Sequence, residues 1–164
     1  MSTPKTLLIV YHSMTGGTRQ MAEAACTGAM AEASVRLLHA AQAGPEDVLA
    51  ADGFLFATPE NLAAISGQLK DFFDRSYYAV LDRVNGRPYA SLICAGSDGH
   101  GAARQIERIA TGWRLRPIAA PLIVCTHAQT REAILAPKQI GPEDQERCRA
   151  LGEAMASGLA LGVF

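Results

Sequence analysis

The sequence predicts a doubly wound α/β domain, in which helices cover both faces of a parallel β-sheet. Five apolar runs of strand length alternate with segments of helical periodicity along the chain. These runs are almost continuously hydrophobic, as strands are when both faces of their sheet are covered. The 164 residues, 49% hydrophobic and 19% charged, suit one deeply buried core. We therefore expect residues 1–164 to form a single domain.

The predicted strands are spaced so that most gaps have room for one helix. They cover residues 6–11, 35–40, 53–58, 89–95 and 120–126. An alanine-rich helix is predicted directly after the first strand. The gap before the third strand, "AGPEDVLAAD", allows only a short helix or turn, and Asn85-Gly86 predicts a tight turn before the fourth strand.

Three later segments each have an apolar face with the 3.6-residue period of a helix. They cover residues 66–81, 101–113 and 141–162, and the last begins with Pro142 and acidic residues, as helices commonly do. The residues predicted to face the core are Leu69, Phe72, Phe73, Tyr77, Val80 and Leu81 in the first of these helices, Ile106, Ile109, Ala110 and Trp113 in the second, and Cys148, Leu151, Met155 and Leu159 in the third.

Charge and composition exclude several classes of partner. The formal net charge is -1 and no run of Lys or Arg occurs, so we expect no nucleic-acid partner. No signal peptide precedes the first strand, and no apolar run approaches the roughly 20 residues that span a bilayer. We therefore expect a cytoplasmic protein with no membrane partner.

The four cysteines, without a CxxC pair, are predicted to be buried and reduced: Cys26, Cys94, Cys125 and Cys148.

Ligands of doubly wound sheets bind beyond the carboxyl ends of the strands, so the loops there are the candidate site. The first loop, "HSMTGGT" (12–18), lies between a strand and a helix. A helix start offers unpaired N–H groups and a positive dipole end to an anion. Ser13, Thr15 and Thr18 add hydroxyl groups, while Gly16 and Gly17 allow close approach of the backbone. The loop therefore predicts a phosphate cradle of amides and hydroxyls, with no basic side chain.

Other phosphate-binding patterns fit this loop less well. A Walker P-loop requires GK[ST], and a dinucleotide fingerprint requires G-x-G-x-x-G; neither is present. A phospho-accepting receiver domain would place acidic residues where His12 and Ser13 stand. The alternative that stays open is a purely structural one, in which the Ser, Thr and Gly residues only cap the helix.

The second loop, "TPENLAAISGQ" (58–68), is long and polar for a connection between a strand and a helix. The Asn61 side chain can donate and accept hydrogen bonds at once, which suits the edge of a heterocycle, and Pro59 fixes the path of the loop. Two structural alternatives stay open: Ser66 caps the following helix, and Glu60 is a solvated charge.

The third loop, "AGSDGHGAAR" (95–104), contains three glycines within six residues, which indicates a backbone wrapped closely around something. His100 lies among them and is a candidate acid or base near neutral pH, although a lone exposed histidine is more often structural. No spacing of His, Cys or acidic residues indicates a metal site, and no G-x-S-x-G motif indicates a serine hydrolase.

With these three loops the chain resembles the flavodoxin-like superfamily, in particular its NAD(P)H-dependent reductases of the quinone reductase type, which bind flavin mononucleotide (FMN). "SMTGGT" resembles the phosphate loop [ST]-x-T-G-x-T, and "ADGFLFATPENLAAISGQLKDFFDR" (51–75) resembles the second signature of the family. The resemblance implies a five-stranded parallel sheet of order 2-1-3-4-5. The residues it implies for cofactor binding are Ser13, Met14, Thr15, Gly16, Gly17, Thr18, Thr58, Pro59, Glu60, Asn61, Leu62, Ala95, Gly96, Ser97, Asp98 and Gly99.

The resemblance further implies electron transfer from NAD(P)H, the co-substrate, through FMN to a quinone-like or other small acceptor. His100 is then the candidate catalytic residue, and a homodimer is an option. Two alternatives stay open: a flavodoxin-type electron carrier that does not itself oxidise NAD(P)H, and a relative that binds no flavin. The near-zero net charge and the lack of Trp or Tyr in the third loop favour a reductase over a carrier.

Overall fold

The computed structural model describes residues 3–164 and confirms the doubly wound architecture. All strand pairs are parallel, and the sheet order β2-β1-β3-β4-β5, with β6 also beside β4, is the predicted 2-1-3-4-5 order. The strands are β1 (Thr6–Tyr11), β2 (Ser34–His39), β3 (Gly53–Pro59), β4 (Pro88–Ala95), β5 (Arg116–Pro117) and β6 (Leu122–Cys125). The helices are α1 (Gly17–Ala29), α2 (Pro45–Ala50), α3 (Gly67–Val80), α4 (His100–Gly112), α5 (Arg131–Leu135) and α6 (Pro142–Leu161).

The edge of the sheet beside β4 differs from the prediction. The expected strand 120–126 is shorter and is preceded by the two-residue β5, which pairs with the start of β4. Prolines 117 and 121 explain the interruption, because proline has no N–H to donate to a neighbouring strand. The short helix α5 was not predicted; the Thr130 hydroxyl caps it by accepting a hydrogen bond from the Ala133 amide at 3.2 Å.

Two apolar layers enclose the sheet, as the hydrophobic strands require. On one face α3 and α4 pack against the sheet, and Phe73 of α3, Phe56 of β3 and Trp113, the residue after α4, are in mutual contact. On the other face α1 and α6 cover Leu7 and Ile9 of β1. The predicted helix faces are confirmed as inward-facing, and four of their members are only partly buried: Tyr77, Leu81, Ile109 and Leu151.

The cysteine prediction is right for two residues and wrong for the other two. Cys94 and Cys148 are buried, whereas Cys26, in α1, and Cys125, the last residue of β6, are half-buried. All four thiols are free. Among residues 3–164, no helix is both long enough and apolar enough to cross a membrane.

Candidate functional site

The first loop turns from β1 into α1 through a left-handed residue, Gly16, with φ of 95°. The Ser13 hydroxyl folds the loop by accepting hydrogen bonds from the amides of Gly16, at 3.1 Å, and Arg19, at 3.3 Å. Within residues 3–164, no hydrogen-bond acceptor meets the amides of Met14, Thr15, Gly17 and Thr18. The start of α1 therefore presents a set of free N–H groups, as an anion-binding site does.

Gly17 allows this helix start to lie directly on the sheet. A Cβ atom at Gly17 would lie 2.6 Å from the Cys94 Sγ at the end of β4, which is too close for a side chain. The second glycine of the loop is thus required by packing against β4, whereas Gly16 is required by its backbone conformation.

A segment from the far end of the sequence crosses the first loop; we call residues 136–140 the crossing segment. The Lys138 amide donates to the Thr15 carbonyl at 2.8 Å. The Gln20 side chain donates to the Lys138 carbonyl at 2.7 Å and accepts from the Ile140 amide at 2.9 Å. These three bonds, one between backbone groups and two from the Gln20 side chain to backbone groups, hold the crossing segment against the start of α1.

The crossing segment brings a basic side chain to the first loop. The half-buried Lys138 donates from Nζ to the carbonyls of Ile134, at 2.8 Å, and Ala136, at 2.7 Å. Its Nζ also lies 3.3 Å from the Thr15 hydroxyl oxygen. The loop itself contains no basic residue, as its sequence states, but a lysine from a segment 123 residues further along the chain lies beside it.

The second loop forms a tight turn beside the cleft. The amides and carbonyls of Asn61 and Ala64 pair at 2.9 and 3.0 Å, and Leu62 and Ala63 between them have positive φ values of 51° and 65°. The turn packs directly against the backbone of Gly101 at the start of α4. A side chain at this position would prevent that contact, because a Cβ atom there would overlap the Ala63 carbonyl. The turn is thus held in a backbone conformation that leaves the Leu62 side chain fully exposed.

Glu60 joins the second loop to the third. One carboxylate oxygen accepts from the Gly99 amide at 2.8 Å, and the other accepts from the Ala102 amide at 3.0 Å. The carboxylate therefore caps α4 and is not a free solvated charge. Because Glu60 occupies the Gly99 amide, that amide is not available to a ligand. The other structural alternative in this loop is confirmed: the Ser66 hydroxyl caps α3 by accepting from the Leu69 amide.

The three loops, α5 and the crossing segment enclose a cleft of about 490 Å³ at the carboxyl edge of the sheet. Most of the predicted cofactor-binding residues line it together, although they come from three distant parts of the chain. Those residues are Ser13, Met14, Thr15, Gly17, Thr18, Pro59, Glu60, Asn61, Leu62, Ala95, Gly96 and Ser97.

Four of the predicted cofactor-binding residues do not line the cleft. Gly16 shapes the first loop, and Gly99, with φ of 94°, is the residue before α4. Thr58 is fully buried, and its hydroxyl donates to the Pro59 carbonyl and accepts from the Ser66 amide. Asp98 lies on the exposed side of the third loop, where it pairs with a histidine.

That histidine is His100, the candidate catalytic residue, and the structure does not bring it to the cleft. Its side chain is 68% exposed, and Nδ1 lies 2.7 Å from the Asp98 carboxylate. Hydrogen bonds from the His100 side chain and backbone lower the pKa of Asp98. A catalytic role for His100 stays a prediction.

Within residues 3–164, no three His, Cys, Asp or Glu side chains cluster as metal ligands would.

The mouth of the cleft is apolar. Four large hydrophobic side chains line it while remaining mostly exposed: Met14 (66%), Leu62 (101%), Ile134 (52%) and Leu135 (62%). Of these, only Met14 and Leu62 were predicted to belong to the site.

At the base of the cleft, burial raises the pKa of the Cys94 thiol to about 11, so this thiol stays protonated near neutral pH.

Sequence reasoning missed the part of the cleft wall that follows β6. Residues 127–140 contain no glycine-rich or hydroxyl-rich loop of the kind that indicated the other parts of the site, and the single lysine there, Lys138, is a feature that could have pointed to an anion. The lining residues that were not predicted are Ala63, Cys94, Thr126, Ala128, Ile134, Leu135 and Lys138.

Comparison with known proteins gives matches along nearly the whole chain. The family model described as NADPH-dependent FMN reductase matches residues 26–129, which include the second and third loops. A flavodoxin from Aquifex aeolicus is 29% identical over 167 aligned residues, which cover 96% of this chain and 88% of that protein. An NAD(P)H dehydrogenase (quinone) from Acidithiobacillus ferrooxidans is 29% identical over 92 residues, which cover 43% of this chain and 46% of that protein.

A solved structure supports the same fold. A flavodoxin from the domain Archaea superposes with a TM-score of 0.78 at 17% sequence identity, covering 94% of this chain and 98% of that one. At this level of identity the likeness establishes the arrangement of strands and helices and leaves the chemistry to be argued from the cleft.

Proposed function

This chain belongs to the NADPH-dependent FMN reductase family, and from that premise we propose that it binds FMN and transfers electrons from NAD(P)H to a small apolar acceptor. The observation that carries the proposal is the set of free amides at the start of α1, placed at one end of a cleft whose mouth is apolar. A flavin nucleotide has the same two ends, an anionic phosphate and a flat ring.

The phosphate end of the cleft fits the phosphate of FMN. The amides of Thr15, Gly17 and Thr18 are free to donate, and the Ser13 oxygen already fixes the loop that carries them. The dipole of α1, a helix of 13 residues, favours negative charge at this end. A donor set of this kind binds a phosphate without any need for the loop to rearrange.

The opposite end fits a flat ring with a polar edge. Asn61 and Ser97 supply side-chain donors and acceptors, and Pro59 and Gly96 bring backbone close to the same space. FMN, when bound, supplies hydride and electron transfer that no side chain here could perform. The role of this chain is to fix the position of the ring.

The exposed side chains at the mouth favour an apolar acceptor. Met14, Leu62 and Leu135 would each bury apolar surface against a quinone-like ring, at roughly 25 cal/mol per Å². The similarity to a protein named NAD(P)H dehydrogenase (quinone) supports this choice. A role for His100 in protonating or polarising the acceptor stays a prediction, and so does the homodimer.

A second candidate is an electron carrier of the flavodoxin type, because a protein named flavodoxin matches over 96% of this chain. A carrier would bind FMN but would not oxidise NAD(P)H by itself. The net charge of -1 weighs against this candidate, since electron carriers use strong surface fields to dock their partners.

An absorption spectrum of the purified protein, loaded with FMN and titrated anaerobically with NADPH and NADH, tests the proposal. A reductase loses its flavin absorbance on addition of at least one nicotinamide and regains it when a benzoquinone is added. A flavin spectrum that neither nucleotide bleaches would select the carrier. Failure to bind FMN would overturn both candidates.

A matched pair of variants tests the location of the site. Ser13→Ala removes the oxygen that organises the first loop, and we expect it to weaken FMN binding about tenfold, by the loss of two modest hydrogen bonds. Ser34→Ala, at an exposed residue at the start of β2, should leave FMN affinity unchanged. Equal affinities of the two variants would place the site elsewhere.

A further inference from the structure

We propose that Lys138 makes the cleft selective for flavins that carry a terminal phosphate, so that FMN binds far better than riboflavin. This inference rests on the proposed function, since it concerns the same cleft. It adds a positively charged side chain to the end of the cleft where the phosphate is proposed to bind. The first loop itself offers only backbone amides and hydroxyl groups there.

The ammonium group of Lys138 is held at the phosphate end by its own contacts. Two of its three N–H groups donate to the carbonyls of Ile134 and Ala136, at 2.8 and 2.7 Å. The Thr15 hydroxyl oxygen lies 3.3 Å from Nζ and accepts the third. Because Thr15 accepts from the lysine, its own O–H proton is free to donate into the cleft.

The charge of Lys138 is not cancelled at this position. Among the cleft-lining residues within 3–164, Lys138 is the only basic one and Glu60 is the only acidic one. The Glu60 carboxylate is already bound by the amides of Gly99 and Ala102. A phosphate at the start of α1 would therefore meet both the free amides and an ammonium group that has no carboxylate partner.

The side chain of Lys138 is separable from the structural role of its backbone. The crossing segment is anchored by the Lys138 amide and carbonyl and by the Gln20 side chain. Replacing the side chain leaves these three bonds in place. The side chain also donates to the Ile134 and Ala136 carbonyls, so riboflavin, which has no phosphate, is the ligand that separates the loss of charge from a change in the position of α5.

The test compares the dissociation constants of FMN and riboflavin, measured by quenching of flavin fluorescence at low salt. We expect Lys138→Met to weaken FMN binding about tenfold, because the phosphate loses a nearby positive charge at a half-buried site, and to leave riboflavin binding within about twofold. Lys138→Arg should restore the preference for FMN. The FMN affinity of the wild type, but not of Lys138→Met, should weaken steeply between low and high salt.

Lys5→Met is the matched control. It removes the same charge at the other end of the sheet, where Lys5 lies 3.9 Å from Asp52, and should leave both flavin affinities unchanged. An unaltered ratio of FMN to riboflavin affinity in Lys138→Met would overturn the inference while leaving the proposed function intact. Binding of neither flavin by the wild type would instead reject the proposed function. If Lys138→Met does not fold, equal FMN affinities of Lys138→Gln and Lys138→Arg would overturn the inference.

Discussion

Glu60 and Ser13 hold two of the loops around the cleft through bonds to backbone amides. The Glu60 carboxylate caps α4 from the second loop, and the Ser13 hydroxyl oxygen bridges two amides of the first loop. Lys138 completes the arrangement from the crossing segment. Glu60 and Ser13 act on backbone groups of the site, so their effect reaches any ligand through the position of the loops. Lys138 differs from them, because it adds a positive charge beside the Thr15 hydroxyl.

Replacement of Glu60 by Gln is expected to lower the free energy of unfolding by about 1–2 kcal/mol, because the amide oxygen can cap only one of the two N–H groups and has no charge. Urea unfolding of the flavin-free protein measures this change. Glu32→Gln, at an exposed residue after α1, is the control and should change stability by less than about 0.5 kcal/mol. Equal stabilities of the two variants would show that the cap contributes nothing.

The C-terminal half of α1, the helix whose start is the proposed phosphate site, packs closely against α6. A Cβ atom at Gly152 of α6 would overlap the Ala25 carbonyl, and one at Gly28 of α1 would overlap the Arg149 carbonyl. The two backbones approach each other at two points, each of which needs a glycine. The two helices therefore cover their face of the sheet as a tightly joined pair.

Gly152→Ala is expected to lower the free energy of unfolding by about 3 kcal/mol, because the added methyl group must push α6 away from the α1 backbone. The control is Gly112→Ala in the last turn of α4, where a Cβ atom meets nothing within 4 Å. That change should raise stability by about 0.5–1 kcal/mol through better helix propensity. A Gly152→Ala protein as stable as the control would contradict the close approach of the two helices. Thermal or urea unfolding distinguishes these outcomes.

In the molecule as a whole, two buried thiols, Cys94 and Cys148, lie in the apolar layer between the sheet and helices α1 and α6. Burial raises the pKa of Cys94 from its ordinary value of 9.0 to about 11 and that of Cys148 to about 12. Below pH 9 both thiols are protonated in the folded and unfolded states, so they make the free energy of unfolding neither larger nor smaller as the pH changes. Above pH 9 the unfolded chain loses these protons while the folded one keeps them, so stability must fall.

We expect the free energy of unfolding to decrease between pH 9 and pH 11 by about 1.4 kcal/mol per pH unit for each buried thiol. Urea unfolding at several pH values measures the slope. Cys148→Ala should be less stable than the wild type at pH 8 but should have a flatter profile above pH 9. Cys26→Ala, at a half-buried thiol, should flatten the profile less. Parallel profiles for Cys148→Ala and the wild type would contradict the burial of this thiol.

Local pattern was enough to predict the elements that are regular. The apolar runs predicted the first four strands to within a residue or so at each end, and the periodicity of 66–81 predicted α3 with its inward face. The glycines and hydroxyl residues of the first loop predicted a cleft wall. The pattern failed at the interrupted edge strand and at α5, where prolines and exposed side chains leave no periodicity to read.

The amino-acid sequence by itself indicated the parallel sheet, its two apolar layers and the loops that form the cleft, because hydrophobic periodicity and turn-forming residues can be recognised in short stretches of the chain. Only the tertiary structure decided that Glu60 caps α4, that His100 faces solvent and that Lys138 lies against Thr15. Those outcomes depend on contacts between residues far apart in sequence, and the direction of a side chain across such a contact is set by packing and not by local pattern.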